Sequence, residues 1–293
     1  MIENGTAQGV KTMGMTTKRV LHRVLLTTAV IFVLVWCIFP FYWAVISSLK
    51  PNIELFDPHP TFWPKSPTFS NYIKVFQERP FHVNIWNSII VAGVTTVITL
   101  IFGSFAGYAI ARLHMRGKAL VMALILSVSM FPQISILGSL FVILRKLGFI
   151  NTYQGLILPY VAITLPLTTW ILQNFFRDLP KDVEEAAAID GCSRLRTLFQ
   201  IVFPMSAPGL VATGLLTFIA AWNEFLFAFT FMQKPEYYTV PVAIALFAGR
   251  SQYEQPWGQL MAAAVIVTAP LVVLVLIFQN RIISGLSAGA VKG

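Results

Sequence analysis

The sequence predicts an all-α, polytopic membrane protein with six transmembrane helices. Three observations predict it. Of 293 residues, 56% are hydrophobic and only 11% are charged, and the mean hydropathy is +0.72. A soluble domain carries roughly 25% charged residues, so this chain has too few charges to cover a water-facing surface. Six apolar stretches lie near 24–46, 88–111, 119–143, 155–175, 208–232 and 260–280. Each approaches or exceeds the ~20 residues that cross a ~30 Å hydrocarbon core at about 1.5 Å per residue. Within these stretches Glu224 is the sole acidic residue, and none contains Lys or Arg.

The spans divide the chain. Residues 1–23 form a polar N-terminal segment. The first span, 24–46, is far longer than a signal-peptide core of roughly 7–15 residues, and no small-residue cleavage site follows it, so it reads as a retained anchor. Residues 47–83 form a long loop rich in proline and tryptophan, where Pro51, Pro58, Pro60, Pro64 and Pro67 prevent a continuous helix. Short helical structure is expected there near 71–77. A tail follows the last span at 281–293.

Charge orients the bundle. The formal net charge is +9. Lys11, Lys18, Arg19, Arg23, Arg112, Arg116, Lys118, Arg177, Lys181, Arg194 and Arg196 fall on the side of the N-terminus, together with Arg281 and Lys292. Fewer Lys and Arg fall opposite. Basic residues favour the cytoplasmic side, which places both termini in the cytoplasm and the 47–83 loop outside. No basic run is interleaved with aromatics, which argues against a nucleic-acid partner; lipid is the expected surroundings.

Interior features follow membrane packing. Gly103 and Gly107 form a G-x-x-x-G in the second span, a spacing that lets helix backbones approach closely. Pro132, Pro159, Pro166 and Pro270 fall in or near spans and are expected to kink them. Cys37 and Cys192 have no ligand-type spacing, and His22, His59, His82 and His114 are scattered outside the spans, so no metal site is expected. Asn4-Gly5-Thr6 matches a glycosylation pattern on the side predicted to be cytoplasmic.

The connection between the fourth and fifth spans, 178–208, carries helix punctuation. Pro180 suits a first helical position, and Asp182, Glu184 and Glu185 favour the positive end of the helix dipole. Ala186, Ala187 and Ala188 are strong helix formers, with Asp190 just before the stop. Gly191 ends the helix as a residue able to take positive φ, and Ser193 can cap a second helix. The outcome is a helix–glycine–helix hairpin at the cytoplasmic face. An acidic helix of this kind is repelled by an anionic leaflet, so a protein partner suits it better than the membrane surface.

Here the residues resemble a known family. Glu185-Ala186-Ala187, three residues, Gly191, nine residues, then Ile201-x-Phe203-Pro204 is similar to the EAA motif of ABC importer permeases, with Phe203 where that pattern usually has leucine. Ser48-Leu49-Lys50-Pro51, Phe69-Ser70-Asn71-Tyr72, Asn87-Ser88, Ala109-Ile110-Ala111-Arg112, the run Gly155 to Tyr160, and Ala221-Trp222-Asn223-Glu224 resemble the carbohydrate-uptake branch. The stretch 247–253 and the tail 285–293 look like its MalG-like, maltose/trehalose-type members.

The resemblance implies a type I ABC importer permease fold with a core permease domain at 84–280. It implies a second, MalF-like permease, an ATPase subunit dimer and an extracytoplasmic sugar-binding protein as partners in a bacterial or archaeal inner membrane. It implies that Glu184, Glu185, Ala186, Ala187, Asp190, Gly191, Ile201 and Pro204 couple to the ATPase, while ATP and Mg are used by that partner and no cofactor is bound by this chain. Consistently, the only near-match to a phosphate loop, Gly9 to Gly14, is followed by Met15 instead of lysine.

Trp222, Asn223 and Glu224 are the candidate substrate-pathway residues. A carboxylate inside a span is costly and is a functional candidate for that reason, with a structural interhelix hydrogen bond as the other explanation. Three other functions compete. An ion-coupled transporter needs more mid-membrane ionisable groups than one glutamate, and a membrane enzyme needs a His, Asp or Cys cluster at one depth. A permease for glycerol phosphodiesters or another oligosaccharide stays compatible with every motif.

Overall fold

The computed structural model describes residues 6–247 and 256–290, with side chains over 20–247 and 256–279. The similarity over 247–253 lies, beyond Phe247, outside the described residues, as do Asn4-Gly5 and the side chains of 285–293.

In order, the helices are α1 (Thr6–Ser48), α2 (Asn52–Leu55), α3 (Ser70–Gln77), α4 (Phe81–Arg112), α5 (Lys118–Ser129), α6 (Gln133–Lys146) and α7 (Gln154–Asp178). They continue as α8 (Lys181–Ile189), α9 (Arg194–Thr197), α10 (Phe203–Met205), α11 (Ala207–Trp222), α12 (Leu226–Phe231), α13 (Val240–Ala245) and α14 (Trp257–Ala290). A π turn at Leu198–Val202 joins α9 to α10, and a 3-10 turn at Pro235–Tyr237 precedes α13. The described residues contain no strand.

Among the described residues four helices are long and apolar enough to span alone: Val20–Ser48, Phe81–Arg112, Gln154–Asp178 and Trp257–Gln279. The other two expected spans are not straight. The stretch expected at 119–143 is two helices, Lys118–Ser129 and Gln133–Lys146, meeting at 82°. The break falls at Pro132, whose backbone turns extended at ψ 122°, while the Met130 and Phe131 amides close the end of α5 with bonds back to Ser127 and Val128. Pro159, Pro166 and Pro270, expected to kink their spans, lie inside helices that run on past them. The stretch expected at 208–232 is helical only to Trp222, breaks, and resumes as α12.

Boundaries move for physical reasons. The second span begins at Phe81 instead of near 88, because its first turns carry Asn84, Asn87 and Ser88, polar residues that hydropathy reads as loop. The helix of the first span already runs from Thr6, within the segment expected to be a separate polar N-terminus, and α14 continues to Ala290 through the expected tail. Hydropathy marks the apolar core of a helix; its hydrogen-bonded ends extend beyond it.

Two compact units make up the chain. One comprises Met1–Tyr72 with Trp257–Val265 and contains the 47–83 loop up to Tyr72. Its loop is tied by side chains on backbone groups. The Asn71 amide donates to the carbonyls of Ser48 and Lys50 at 2.8 and 2.9 Å, and the Lys50 ammonium donates to the Thr61 carbonyl while lying over the Trp43 ring. Glu54 accepts from the Thr61 hydroxyl and the Lys65 amide, and these bonds hold its carboxyl below the ordinary value.

The second unit, Ile73–Pro256 with Ile266–Gly293, is built on α4, α7 and α11 packed on one another. The contact between α4 and α7 is made at the two expected glycines. A Cβ on Gly103 would sit 2.8 Å from Thr168 Cγ2, and one on Gly107 would sit 3.0 Å from the Gln173 backbone nitrogen. At one end of α4, the Asn84 and Asn87 amides donate to the carbonyls of Pro235, Glu236 and Tyr238, and the Ser88 hydroxyl accepts from the Val240 amide. They supply partners to the non-helical backbone around the 3-10 turn and the start of α13. Replacing Gly107 with Leu should force α4 off α7 and destabilise the fold by about 1–3 kcal/mol, the usual range for overpacking. Thermal melting of the detergent-purified variant checks this; an unchanged midpoint would refute the close crossing.

Candidate functional site

The hairpin is built as its punctuation predicts, with one shift: Pro180 is the N-cap of α8, with ψ 129°, instead of its first helical residue. An extended cap suits proline, which has no amide to leave unsatisfied. Gly191 has φ +81°, and no atom lies within 4 Å of where its Cβ would be. The glycine is therefore required by backbone conformation and not by crowding. The Ser193 hydroxyl accepts from the Arg196 amide and caps α9. The helical segment Arg194–Met205 then meets α11 at 80°, so the hairpin runs nearly crosswise to the span that follows it.

The expected coupling residues divide between two faces. Ala187 is buried, while Glu185, Ala186, Asp190 and Gly191 are exposed. Ile201 is half-buried and Pro204 is exposed. Beneath them Leu198 and Val202 pack on Leu172 and Phe176 of α7, and Phe203 stacks on Phe176 at 6.3 Å. Glu184 turns the other way. Its carboxylate accepts from Arg112 Nε at 2.6 Å and from the Tyr108 hydroxyl at 2.9 Å, both on α4. Sequence reasoning did not pair Arg112 and Tyr108 with this helix, because they are over seventy residues away. It also missed Ile189, an apolar side chain 87% exposed at the end of α8.

The residues expected along a substrate pathway also separate. Trp222 is 2% exposed and packs in the core on Phe218 at 5.6 Å. Asn223 and Glu224 line a cavity of about 460 Å³ between α7 and α11, with Gln133, Thr164, Thr168, Thr213 and Thr217 among the other lining residues. No Lys or Arg lines it. Thr99 and Thr164 share a hydrogen bond at 3.1 Å, and Thr168 and Thr217 share one at 3.0 Å, so hydroxyls bridge neighbouring helices along the cavity wall. The threonines carried no sequence signal, since each is an isolated polar residue in an apolar run.

Glu224 occupies the break between α11 and α12. Its two carboxylate oxygens accept from the backbone amides of Phe227 at 2.9 Å and Ala228 at 3.2 Å, the orphan donors of the α12 first turn. The buried Tyr160 hydroxyl neighbours the same carboxylate but lies outside hydrogen-bond geometry. The break in the span and the glutamate therefore explain each other, and the negative charge faces the positive end of a short helix dipole. Among the described residues no group of three His, Cys, Asp or Glu side chains could hold a metal ion.

Residues 99–287 match the family model described as the binding-protein-dependent transport system inner membrane component. The chain belongs to this family of ABC importer permeases. The permease is 48% identical over 278 residues to the trehalose/maltose transport system permease protein MalG of Thermococcus litoralis, covering 94% of this chain and 99% of the relative. It is 42% identical over 256 residues to the sulfoquinovosyl glycerol transport system permease protein SmoH of Agrobacterium fabrum, covering 87% and 89%. A bacterial ABC transporter involved in the import of the acidic polysaccharide alginate shares the fold of the permease at TM-score 0.76 and 21% identity, over 90% of this chain and 97% of that one.

Removing the Glu224 carboxylate should orphan the two amides of α12. Glu224→Ala should cost about 1–3 kcal/mol, the usual price of an unsatisfied buried group, and Glu224→Gln less because its carbonyl can still accept. Melting temperatures of the purified variants check the order Gln above Ala; equal midpoints for both variants and the wild type would refute the cap.

Proposed function

We propose that this permease forms half of the translocation pathway of an ATP-driven importer for a neutral disaccharide or oligosaccharide of the maltose or trehalose class. The observation that carries the reading is the cavity beside the broken span. Its volume lies within the ~300–1,000 Å³ typical of small-molecule sites. Its polar groups are hydroxyls, amides and one carboxylate already engaged as a helix cap. Such groups exchange hydrogen bonds with sugar hydroxyls. The similarity to the trehalose/maltose permease supports the same class.

The chemistry weighs against the other cargoes. A glycerol phosphodiester carries a negative charge, and the cavity offers it no cation while holding Glu224. Ion coupling needs a carboxylate free to bind and release an ion, and both oxygens of Glu224 are held by amides. Asn223 is the cavity-lining residue of the expected trio best placed to meet a sugar, because Trp222 lies in the core.

The family supports a set of partners. A related alginate transporter structure contains a complex with an alginate pentasaccharide-bound periplasmic protein, which supports an extracytoplasmic binding protein here too. A second permease would supply the other half of the pathway, and an ATPase dimer using ATP and Mg would dock on the hairpin at Glu185, Ala186, Asp190 and Gly191. The exposed Ile189 extends that face with an apolar anchor. The distribution of Lys and Arg supports cytoplasmic termini, on the side of the hairpin.

Affinity purification from mild detergent, followed by mass spectrometry, tests the assembly. A second permease and a P-loop ATPase are expected to copurify; a chain that purifies alone and moves solute without ATP would overturn the importer. Proteoliposomes of the complex with its binding protein then test the cargo, with uptake of labelled trehalose or maltose expected and exclusive uptake of a phosphodiester overturning the neutral-sugar reading. Gly191→Asp should leave the chain in the membrane, since nothing lies within 4 Å of the Cβ position, but abolish ATP-dependent uptake, since a side chain strains the positive φ that reverses the hairpin and adds a charge to its outer face.

A further inference from the structure

Two adjacent glutamates on α8 face opposite ways. Glu185 is exposed on the outer face. Glu184 is turned inward, with both carboxylate oxygens taken by α4: Oε1 by Arg112 Nε and Oε2 by the Tyr108 hydroxyl. Tyr108 and Arg112 stand one turn apart on the last turns of α4, so the two bonds form a clamp along one helix face. The same guanidinium donates from Nη2 to the Leu179 carbonyl at 2.8 Å, in the two-residue link between α7 and α8. Arg112 and Glu184 side chains are only 8% and 17% exposed, so the pair is screened far less than a surface ion pair.

We propose that Tyr108, Arg112 and Glu184 form a positioning strut that fixes α8 to the end of α4, so that α8, α4 and α7 move as one body when an ATPase shifts the hairpin. The inference rests on the coupling reading above and adds the route by which displacement leaves the hairpin. Covalent continuity alone would carry a push on α8 into α7 on one side and through the π turn into α11 on the other. The clamp adds α4, which is not adjacent to α8 in sequence. From there the displacement passes to α7, because Gly103 and Gly107 leave no slack between those helices. α7 carries Thr164 and Thr168 of the cavity lining, and Thr99 of α4 is hydrogen-bonded to Thr164, so the moving body includes one wall of that cavity. Glu184 is thus a positioning residue, and Glu185 is left to face the partner.

The test uses the full chain in its complex with the copurifying permease and ATPase. Spin labels are placed at exposed positions of the two helices, through His82→Cys on α4 and Asp182→Cys on α8, with Cys37 and Cys192 replaced by serine. The distance distribution is measured without nucleotide and after trapping with ATP and vanadate. With the strut intact, the distribution should be narrow and the same in both states. In Glu184→Gln and Arg112→Ala it should broaden and shift on trapping, and in Tyr108→Phe, which keeps the ion pair, it should broaden less.

ATPase copurification reports folding in each case. A purely structural role would lower copurification or melting temperature and leave the distances unaltered. Narrow, state-independent distances in Glu184→Gln with the ATPase still bound would overturn the strut while leaving the coupling reading standing. A wild-type distance that shifts on trapping would overturn it as well. Failure of the wild-type chain to bind any ATPase would overturn the coupling reading instead, and the strut with it.

Discussion

Hydrocarbon offers no partner to an exposed amide or carbonyl, and each group left unpaired there costs several kcal/mol. The arrangement of this permease follows from that constraint. Where the chain is a continuous helix without interior proline, as in α4, the ladder satisfies itself. At the Pro132 break backbone bonds close the helix end, and at two other places a polar side chain supplies the partner. Asn84, Asn87 and Ser88 serve the 3-10 turn and the start of α13. Glu224 serves α12. These residues are polar in an apolar sequence because backbone, not substrate, makes the first demand on them.

The same constraint shapes the cavity. A span that breaks next to a cavity exposes backbone and polar side chains without exposing them to lipid. At the α11–α12 break the capped carboxylate brings Asn223 and Glu224 to the cavity while Trp222 stays in the core. The threonine pairs add hydroxyls that are already satisfied between helices. A wall of this kind sets a few polar groups among apolar side chains such as Ile163, Leu167 and Leu216, and no Lys or Arg lines it.

The hairpin solves a mechanical problem with the same materials. A helix of nine residues has little stability alone and must be held by its neighbours. Leu198, Val202 and Phe203 anchor the second limb on α7, and the Arg112–Glu184 pair anchors the first limb on α4. With both limbs fixed from within, the outer face of Glu185, Ala186, Ile189 and Gly191 is free to meet another protein. A positive-φ glycine in open space lets the chain reverse between the limbs at no steric cost.

Composition and spacing alone determined the all-α membrane class, the six apolar elements, the G-x-x-x-G contact and the helix–glycine–helix hairpin. Each is a local property: the length of an apolar run, a period along one helix, or a cap residue at its required position. Tertiary structure decided the rest. Kinks were expected at four prolines, and the sharp break comes at Pro132, while Pro159, Pro166 and Pro270 sit inside helices that run on; which proline breaks its helix was not legible, because packing separates the cases. The split between Glu184 and Glu185 was not legible either, since both are acids in the first half of one helix and their partners lie on α4. Trp222, Asn223 and Glu224 are consecutive, yet one faces the core and two face the cavity, because the helix ends between them. The sequence specifies which groups are present and how they repeat along the chain, but partners distant in sequence are chosen only when the helices pack.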